Sequence, residues 1–170
     1  MKLLEDWGWS PTWWKGDRGE YWFIGQVLLL LLFVLIPTQR FFPYSDIAFG
    51  LKIVLWTGAG LLWVCGALLL LIGLLELGQS LTPLPYPRRD GKLVEDGIYG
   101  IVRHPLYSGL ILLTLAWVVF SLSWSHFLCA IALAVLLNAK ATQEEQWLLE
   151  KYSGYARYQQ RVKKFIPGLY

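Results

Sequence analysis

The chain of 170 residues is 56% hydrophobic and only 16% charged, and it contains 10 Trp. A single water-soluble domain of this length cannot bury so many apolar side chains, so the composition predicts an integral membrane protein. The net charge of +3 is too small to indicate a nucleic-acid partner, and the first residues lack the apolar segment of a secretory signal.

The first segment, residues 1–20, is rich in Trp. Trp7, Trp9, Trp13 and Trp14 stand close together, and Trp is enriched at membrane–water interfaces. We therefore expect this segment to lie at the membrane surface. A binding role for these rings is the alternative.

Four apolar segments then predict four transmembrane helices in one all-α membrane domain. Residues 21–78 hold the first two, which are Tyr21–Ile36, ended by Pro37, and Ile47–Leu77. Residues 79–170 hold the other two, which are Leu106–Leu122 and a helix from His126 to about Tyr152 that becomes polar after Leu137. In the second helix, small residues are expected to allow close helix packing, namely Gly58, Gly60, Gly66 and Gly73.

The basic residues predict the orientation of these helices. Of the 15 Lys and Arg residues, 13 lie before the first helix, between the second and third, or after the apolar part of the fourth. Arg40 and Lys52 are the exceptions. With an even number of spans the three basic segments share one face, which the positive-inside rule makes cytoplasmic. Both termini are then cytoplasmic as well.

Two polar clusters at this cytoplasmic face are the candidate site, because ionisable groups at a membrane boundary are costly and usually functional. In the first, Pro105 can open the third helix. Arg103 offers a planar fork for a carboxylate or phosphate, and His104 can donate or accept a proton near neutral pH. Tyr99 and Tyr107 supply aromatic faces for a cation. Alternatively, Arg103 reaches for lipid headgroups and His104 caps the helix.

The second cluster is the pair Glu144 and Glu145 on the polar extension of the fourth helix. Adjacent helical residues point about 100° apart, so one carboxylate can face a cavity while the other meets solvent or Arg103. Ordinary surface charge is the alternative. The basic, aromatic tail from Tyr152 to Pro167 predicts either an amphipathic helix on the lipid surface or a lid over the site.

Several other site chemistries are disfavoured. The sequence holds only two His residues, and His126 is expected on the opposite membrane face, so no metal site is predicted. Cys65 and Cys129 stand in apolar runs and are interpreted as small buried hydrophobic residues.

The motif residues resemble the isoprenylcysteine carboxyl methyltransferase family, which is related to the phospholipid N-methyltransferases. The resemblance covers about residues 94–170, and a chain this compact is similar to prokaryotic members. It is carried by Gly97-x-Tyr99, Arg103-His104-Pro105-x-Tyr107-x-Gly109, Glu144-Glu145, Tyr155-x-x-Tyr158 and Ile166-Pro167.

The resemblance implies a multi-pass membrane enzyme that transfers a methyl group from S-adenosylmethionine to a lipophilic small-molecule or lipid acceptor. The implied reaction is O-methylation of a carboxylate, with phospholipid-type N-methylation as the alternative. The implied cofactor-binding residues are Gly97, Tyr99, His104, Pro105, Tyr107 and Glu145. The implied catalytic residues are Arg103, Glu144 and Glu145, with Arg103 and one Glu acting near the acceptor.

Two other classes remain open. Sterol and steroid reductases, which use a nicotinamide cofactor, carry a similar Arg-His-Pro turn, but here Leu106 and Leu110 replace their Asn and Glu. A non-catalytic membrane protein is the third possibility, and it predicts that Arg103, His104 and Glu145 can be replaced without chemical loss.

Overall fold

The structure is a computed structural model that describes residues 13–88 and 90–170. Within these residues it is helical and contains no strand, which confirms the all-α prediction. The helices are α1 (Glu20–Leu35), α2 (Phe49–Leu77), α3 (Pro105–Ser121), α4 (Trp124–Lys151) and α5 (Tyr155–Arg161). Most of the predicted interfacial Trp segment lies outside the described residues, and Trp14 within them is exposed.

Local sequence signals account for the helix ends. Leu35 ends α1 just before Pro37, and Pro105 occupies the first turn of α3, where its missing N–H costs nothing. Leu122 adopts a left-handed conformation with φ of 50°. The Ser123 side chain accepts a hydrogen bond from the His126 backbone and so caps α4. The break predicted near residues 121–125 is therefore confirmed as a two-residue turn.

The long helices are apolar enough for a bilayer. α2 and α4 are long and apolar enough to cross a membrane, whereas α1 and α3, with 16 and 17 residues, are apolar but shorter. Many apolar side chains on α2 are largely exposed, among them Val54, Leu61 and Leu75, which are 65%, 64% and 72% exposed. Such a continuous apolar surface suits lipid contact.

The helices run antiparallel in a bundle. α2 packs against α3, α1 against α4, and α3 against α4. At one end, the Phe41 backbone N–H donates to the Leu122 carbonyl (2.9 Å), and the Trp124 N–H donates to the Gln39 carbonyl (2.9 Å). At the other end, Gly19 lies against Pro85 and Trp147. This second end, where α1 and α3 begin and α2 and α4 finish, is called the site end below.

Glycines allow the close crossing of α2 and α3. A Cβ atom on Gly109 would lie 2.8 Å from the Gly66 carbonyl oxygen, and one on Gly66 would lie 2.9 Å from the Gly109 oxygen. Gly73 packs similarly against α3, at Pro105. The predicted packing role is thus confirmed for Gly66 and Gly73. It is wrong for Gly58 and Gly60, where a Cβ would meet nothing within 4 Å.

The two cysteines differ in environment. Cys129 is buried as predicted, but Cys65 is exposed, so the predicted burial of Cys65 is wrong. The reason is the position of α2 at the edge of the bundle, where an apolar side chain is free to face lipid instead of protein.

Candidate active site

A short 3-10 turn, Gly97–Gly100, lies against the site end of α2. The Ile98 backbone N–H donates to Glu76 Oε2 at 2.8 Å. Gly97 has a φ of 59°, and a Cβ there would lie 2.1 Å from Glu76 Oε1. The left-handed backbone therefore favours glycine at this position, and a larger residue would also force the Glu76 carboxylate away from the Ile98 N–H.

Tyr99 in this turn connects three elements. Its hydroxyl donates to the Gly73 carbonyl of α2 at 3.2 Å, and its own carbonyl accepts the Tyr158 hydroxyl of α5 at 2.6 Å. Burial raises the pKa of both tyrosine hydroxyls well above the usual value, so they stay protonated donors at neutral pH. The Tyr99 ring is thereby held at one position of the cavity wall described below.

A buried ion pair joins the two motif clusters. Arg103 donates from Nε (2.9 Å) and Nη2 (2.8 Å) to the same oxygen, Oε1 of Glu145. Both side chains are only 8% exposed. His104 Nε2 lies 3.0 Å from the same oxygen, and the Gln159 side-chain amide donates to Oε2 at 3.0 Å. Both oxygens of Glu145 are therefore occupied by protein groups.

Arg103 also holds the C-terminal segment in place. Its Nη1 donates to the Gln159 carbonyl at 3.1 Å and to the Val162 carbonyl. Residues 162–170, here called the C-terminal strap, continue along the motif. The Arg103 and His104 backbone N–H groups donate to the Lys163 and Lys164 carbonyls at 2.8 and 3.1 Å.

The tail therefore folds back onto the motif. α5 covers only seven residues. Its Tyr155 and Tyr158 form a buried cluster with Val162, which directly follows the helix. Of the two predictions for the tail, these contacts support a segment folded back over the site and not an amphipathic helix on the lipid surface.

His104 is fixed on several sides. Its ring stacks on Tyr107 with 5.3 Å between ring centroids and 4° between planes. The Phe165 ring of the strap lies at 5.9 Å. His104 is 6% exposed and precedes α3 without making a side-chain cap, so the alternative in which its ring caps the helix is wrong.

Glu144 is arranged differently from Glu145. Its Oε2 accepts the Tyr107 hydroxyl at 2.7 Å, and its side chain is 25% exposed. It lines a cavity, whereas Glu145 is turned toward Arg103. The prediction that one carboxylate faces a cavity while its neighbour meets Arg103 is confirmed.

The cavity has a volume of about 300 Å³ and lies at the site end. Its polar wall includes Tyr99, Arg103, His104, Tyr107 and Glu144, with Pro105 beside them. Its apolar wall contains leucines of α2 and α3, namely Leu70, Leu74, Leu77, Leu106 and Leu110. The proline-rich loop contributes Pro83, Pro85 and Pro87. Of the residues singled out from sequence, Gly97 and Glu145 do not reach this wall.

Lys140 is a cavity residue that the motifs do not include. It lies one helical turn before Glu144 on α4 and is 2% exposed. Its Nζ donates to Gln26 Oε1 at 2.8 Å and to the Pro83 carbonyl at 3.2 Å, and it lies 5.2 Å from the centre of the Tyr107 ring. The only signal in the sequence is its spacing of four from Glu144.

Comparisons with known proteins give two relatives named methyltransferases and one named a reductase. A probable 7-dehydrocholesterol reductase of Acanthamoeba polyphaga mimivirus is 33% identical over 103 residues, which are 55% of this chain and 23% of that protein. Protein-S-isoprenylcysteine O-methyltransferase B of Arabidopsis thaliana is 34% identical over 155 residues, covering 82% of this chain and 72% of that protein. Methanethiol S-methyltransferase of Pseudomonas deceptionensis is 27% identical over 169 residues, covering 92% of this chain and 64% of that protein.

The family pattern covers more than half of the chain. Residues 53–154, from α2 to the residue before α5, match the phospholipid methyltransferase family. This range contains the turn at Gly97, the Arg103-His104-Pro105 triplet and both glutamates of α4. The chain therefore belongs to the phospholipid methyltransferase family. The resemblance to isoprenylcysteine carboxyl methyltransferases, which the motifs predicted as related to this family, is confirmed.

Proposed function

We propose that this protein transfers a methyl group from S-adenosylmethionine to a lipophilic acceptor at the cytoplasmic face of a membrane. The observation that carries the proposal is the convergence of the family motifs on one cavity with a polar wall and an apolar wall. A polar cofactor and a lipid-like acceptor need such a divided cavity.

The proposed topology has four membrane-spanning helices with both termini in the cytoplasm. α1 and α3 would be about 24–26 Å long at 1.5 Å per residue, which requires a locally thin bilayer or polar ends near the headgroups. Basic side chains are concentrated at the site end, while Arg40 and Lys52 lie toward the other end. This charge bias supports a cytoplasmic site.

The residues at the cavity fit the cofactor. S-adenosylmethionine, when bound, supplies an electrophilic methyl group on a positively charged sulfur. The Glu144 carboxylate suits a cationic amino group, and the face of Tyr99 suits a cation. Tyr107 orients the Glu144 carboxylate through its hydroxyl, while its ring is in contact with His104 and Lys140. We assign cofactor binding to these three residues together with His104 and Pro105.

Gly97, Arg103 and Glu145 act in this proposal as positioning residues. Gly97 lets the turn approach α2, so that Tyr99 reaches the cavity. Glu145 fixes the His104 ring through Oε1, and Arg103 secures both Glu145 and the C-terminal strap. The acceptor-orienting role expected of Arg103 is then exerted mainly through the shape of the wall, since four of its N–H groups already point at protein acceptors.

For the acceptor we propose a lipophilic carboxylic acid. A carboxylate is already ionised at neutral pH and needs no general base, so the protein's work is alignment and exclusion of water. The leucine wall suits an apolar tail next to the reacting group. An amine acceptor, as in phospholipid N-methylation, would first have to lose a proton, and Glu144 is the carboxylate at the cavity wall that would accept it.

Ligand binding to the detergent-purified protein tests the cofactor assignment. We expect micromolar binding of S-adenosylhomocysteine in calorimetry and at least tenfold weaker binding in Glu144→Gln, because a charge-assisted contact is lost. Glu150→Gln on the exposed face of α4 is the matched control and should bind as the wild type does. Unchanged affinity in Glu144→Gln would remove this residue from the cofactor site.

The reductase reading has one observation in its favour, the mimiviral relative. It is tested by titrating NADPH in the same experiment. Binding of NADPH without binding of S-adenosylhomocysteine would overturn the methyltransferase proposal. The cavity wall disfavours a reductase function, because Leu106 and Leu110 place apolar groups where reductases carry Asn and Glu.

Transfer of a radiolabelled methyl group tests the acceptor class. Farnesylated N-acetylcysteine, phosphatidylethanolamine and methanethiol represent acid, amine and thiol acceptors. We expect label in the base-labile methyl ester of the farnesylated acid. Label in the lipid amine or the thioether alone would refute the carboxylate assignment and leave the methyltransferase class standing.

A further inference from the structure

Lys140 carries an inference about the acceptor that the family motifs do not contain. Its ammonium group is nearly inaccessible to solvent, and within residues 13–88 and 90–170 no carboxylate forms an ion pair with it. Glu144, one turn further along α4, directs its oxygen to the Tyr107 hydroxyl instead. Two hydrogen bonds, two aromatic rings and the nearby charge of Glu144 stabilise this ammonium group. No carboxylate among the described residues contacts it directly, so a ligand anion in the cavity can still pair with it.

The hydrogen bonds of Lys140 do not explain its charge. Two of its three N–H groups have described protein acceptors, Gln26 Oε1 and the Pro83 carbonyl. A neutral amide side chain can make such bonds at lower desolvation cost. The third N–H is available to the cavity that Lys140 lines.

The position of Lys140 distinguishes between two anionic groups that it could bind, the carboxylate of the acceptor and the carboxylate of the cofactor. Four residues along α4 correspond to about 6 Å, and Lys140 lies that much closer to the middle of the bundle than Glu144. There it meets α1, with its Nζ 5.9 Å from the centre of the Phe23 ring. Under the proposed function, we expect the apolar tail of an acceptor along the leucines of this inner region and the polar cofactor beside Glu144.

We propose that Lys140 binds the anionic group of the acceptor and thereby selects carboxylates over amines and neutral molecules. The inference rests on the proposed methyltransferase function and names the chemical class of its second substrate. A fixed positive charge attracts a carboxylate and repels an ammonium group, so lipid amines are disfavoured at this position. The acceptor becomes a neutral ester on methylation, which weakens its contact with Lys140 and favours product release.

The loss of charge during the reaction predicts a particular kinetic effect. Lys140 interacts more strongly with the charged acceptor than with the partly neutralised transition state. Its removal should therefore raise KM for a lipophilic acid at least tenfold without lowering kcat. A residue needed only to align the helices would not raise KM while leaving kcat undiminished.

A binding experiment without turnover separates the charge from a structural role. Farnesylated N-acetylcysteine and its methyl ester are titrated into cofactor-free protein. We expect the wild type to bind the acid at least tenfold more tightly than the ester. Lys140→Gln should reduce this preference to less than twofold, whereas Lys140→Arg, which keeps the charge, should retain most of it. Lys15→Gln, which removes an exposed charge outside the cavity, is the matched control.

The outcomes are distinguishable. Equal affinity of the wild type for acid and ester, or an unchanged preference in Lys140→Gln, would overturn the assignment while leaving methyl transfer intact. Loss of S-adenosylhomocysteine affinity with an unchanged acid preference would assign Lys140 to the cofactor's carboxylate and also overturn it. If the wild type binds neither acid nor ester, both the inference and the proposed carboxylate acceptor fail. Lys140→Arg provides the folded comparison if Lys140→Gln is unstable.

Discussion

Replacing Glu145 by Gln removes one negative charge and almost no volume. In the structure, Oε1 of Glu145 accepts hydrogen bonds from Arg103 Nε, Arg103 Nη2 and His104 Nε2. The acceptor of each bond changes from a carboxylate to a neutral amide oxygen, and each bond loses about 1 kcal/mol. The sum is about 3 kcal/mol, near the lower end of the cost of breaking a buried ion pair. The carbonyls that also accept from Arg103 keep the loss from being larger.

The unfolding temperature measures this loss. For a chain of this length, about 3 kcal/mol corresponds to a decrease of roughly 6–12 °C. Thermal unfolding of the detergent-purified variant, followed by the fluorescence of the Trp residues, provides the assay. Glu144→Gln is the matched control, since its carboxylate is partly exposed and bonded to one hydroxyl, and it should unfold within about 3 °C of the wild type.

The two variants therefore have opposite profiles. Glu144→Gln is expected to lose cofactor affinity and keep its stability, whereas Glu145→Gln loses stability and affects binding only through the His104 ring. An unfolding temperature for Glu145→Gln equal to that of the wild type would refute the positioning role of this ion pair.

Further predictions concern the helix crossing and the buried tyrosines. Gly109→Ala should lower the unfolding temperature by several degrees, because its Cβ would lie 2.8 Å from the Gly66 oxygen, whereas Gly58→Ala should hold or raise it. Tyr158→Phe leaves the Tyr99 carbonyl without its 2.6 Å donor and should cost about 1–3 kcal/mol in thermal unfolding. Burial raises the pKa of the Tyr99 and Tyr158 hydroxyls in the folded protein. Their contribution to stability is therefore complete below the usual pKa of 10.0 and is lost progressively as the pH rises above it. Unfolding temperatures measured in alkaline buffers should therefore fall above about pH 10, and fall less in Tyr158→Phe.

Each of these expectations has a result that contradicts it. Equal stability of the Gly109→Ala and Gly58→Ala proteins would show that the close crossing of α2 and α3 is not a determinant of stability. An alkaline transition of the same steepness in the wild type and in Tyr158→Phe would show that this hydroxyl does not supply the pH dependence.

The helices and the division of labour between the two glutamates follow from the sequence. Long apolar runs interrupted by Pro37 and preceded by Pro105 define helix boundaries through backbone chemistry alone. The 100° offset of adjacent helical residues places Glu144 and Glu145 in different environments whatever the surrounding fold. These predictions depend on local geometry, which a single sequence contains.

Tertiary orientation decides the features that the sequence left open. Gly58 and Gly66 have the same local signal, but only Gly66 faces α3. Lys140 looks like one more basic residue after an apolar run, because its contacts with Gln26 and Pro83 come from distant segments. The path of the tail depends likewise on the Tyr158 hydroxyl finding the turn at Tyr99.

The position of Glu145 behind the cavity wall has a consequence for how acceptor specificity can change. The Arg103–Glu145 ion pair joins the start of α3, α4 and the C-terminal segment, and Glu145 does not line the cavity. The leucines on the apolar side are not part of that linkage. A substitution at Leu74 or Leu110 can therefore reshape the space for an acceptor while this ion pair stays intact, so new substrates are accessible through single changes that a folded protein tolerates.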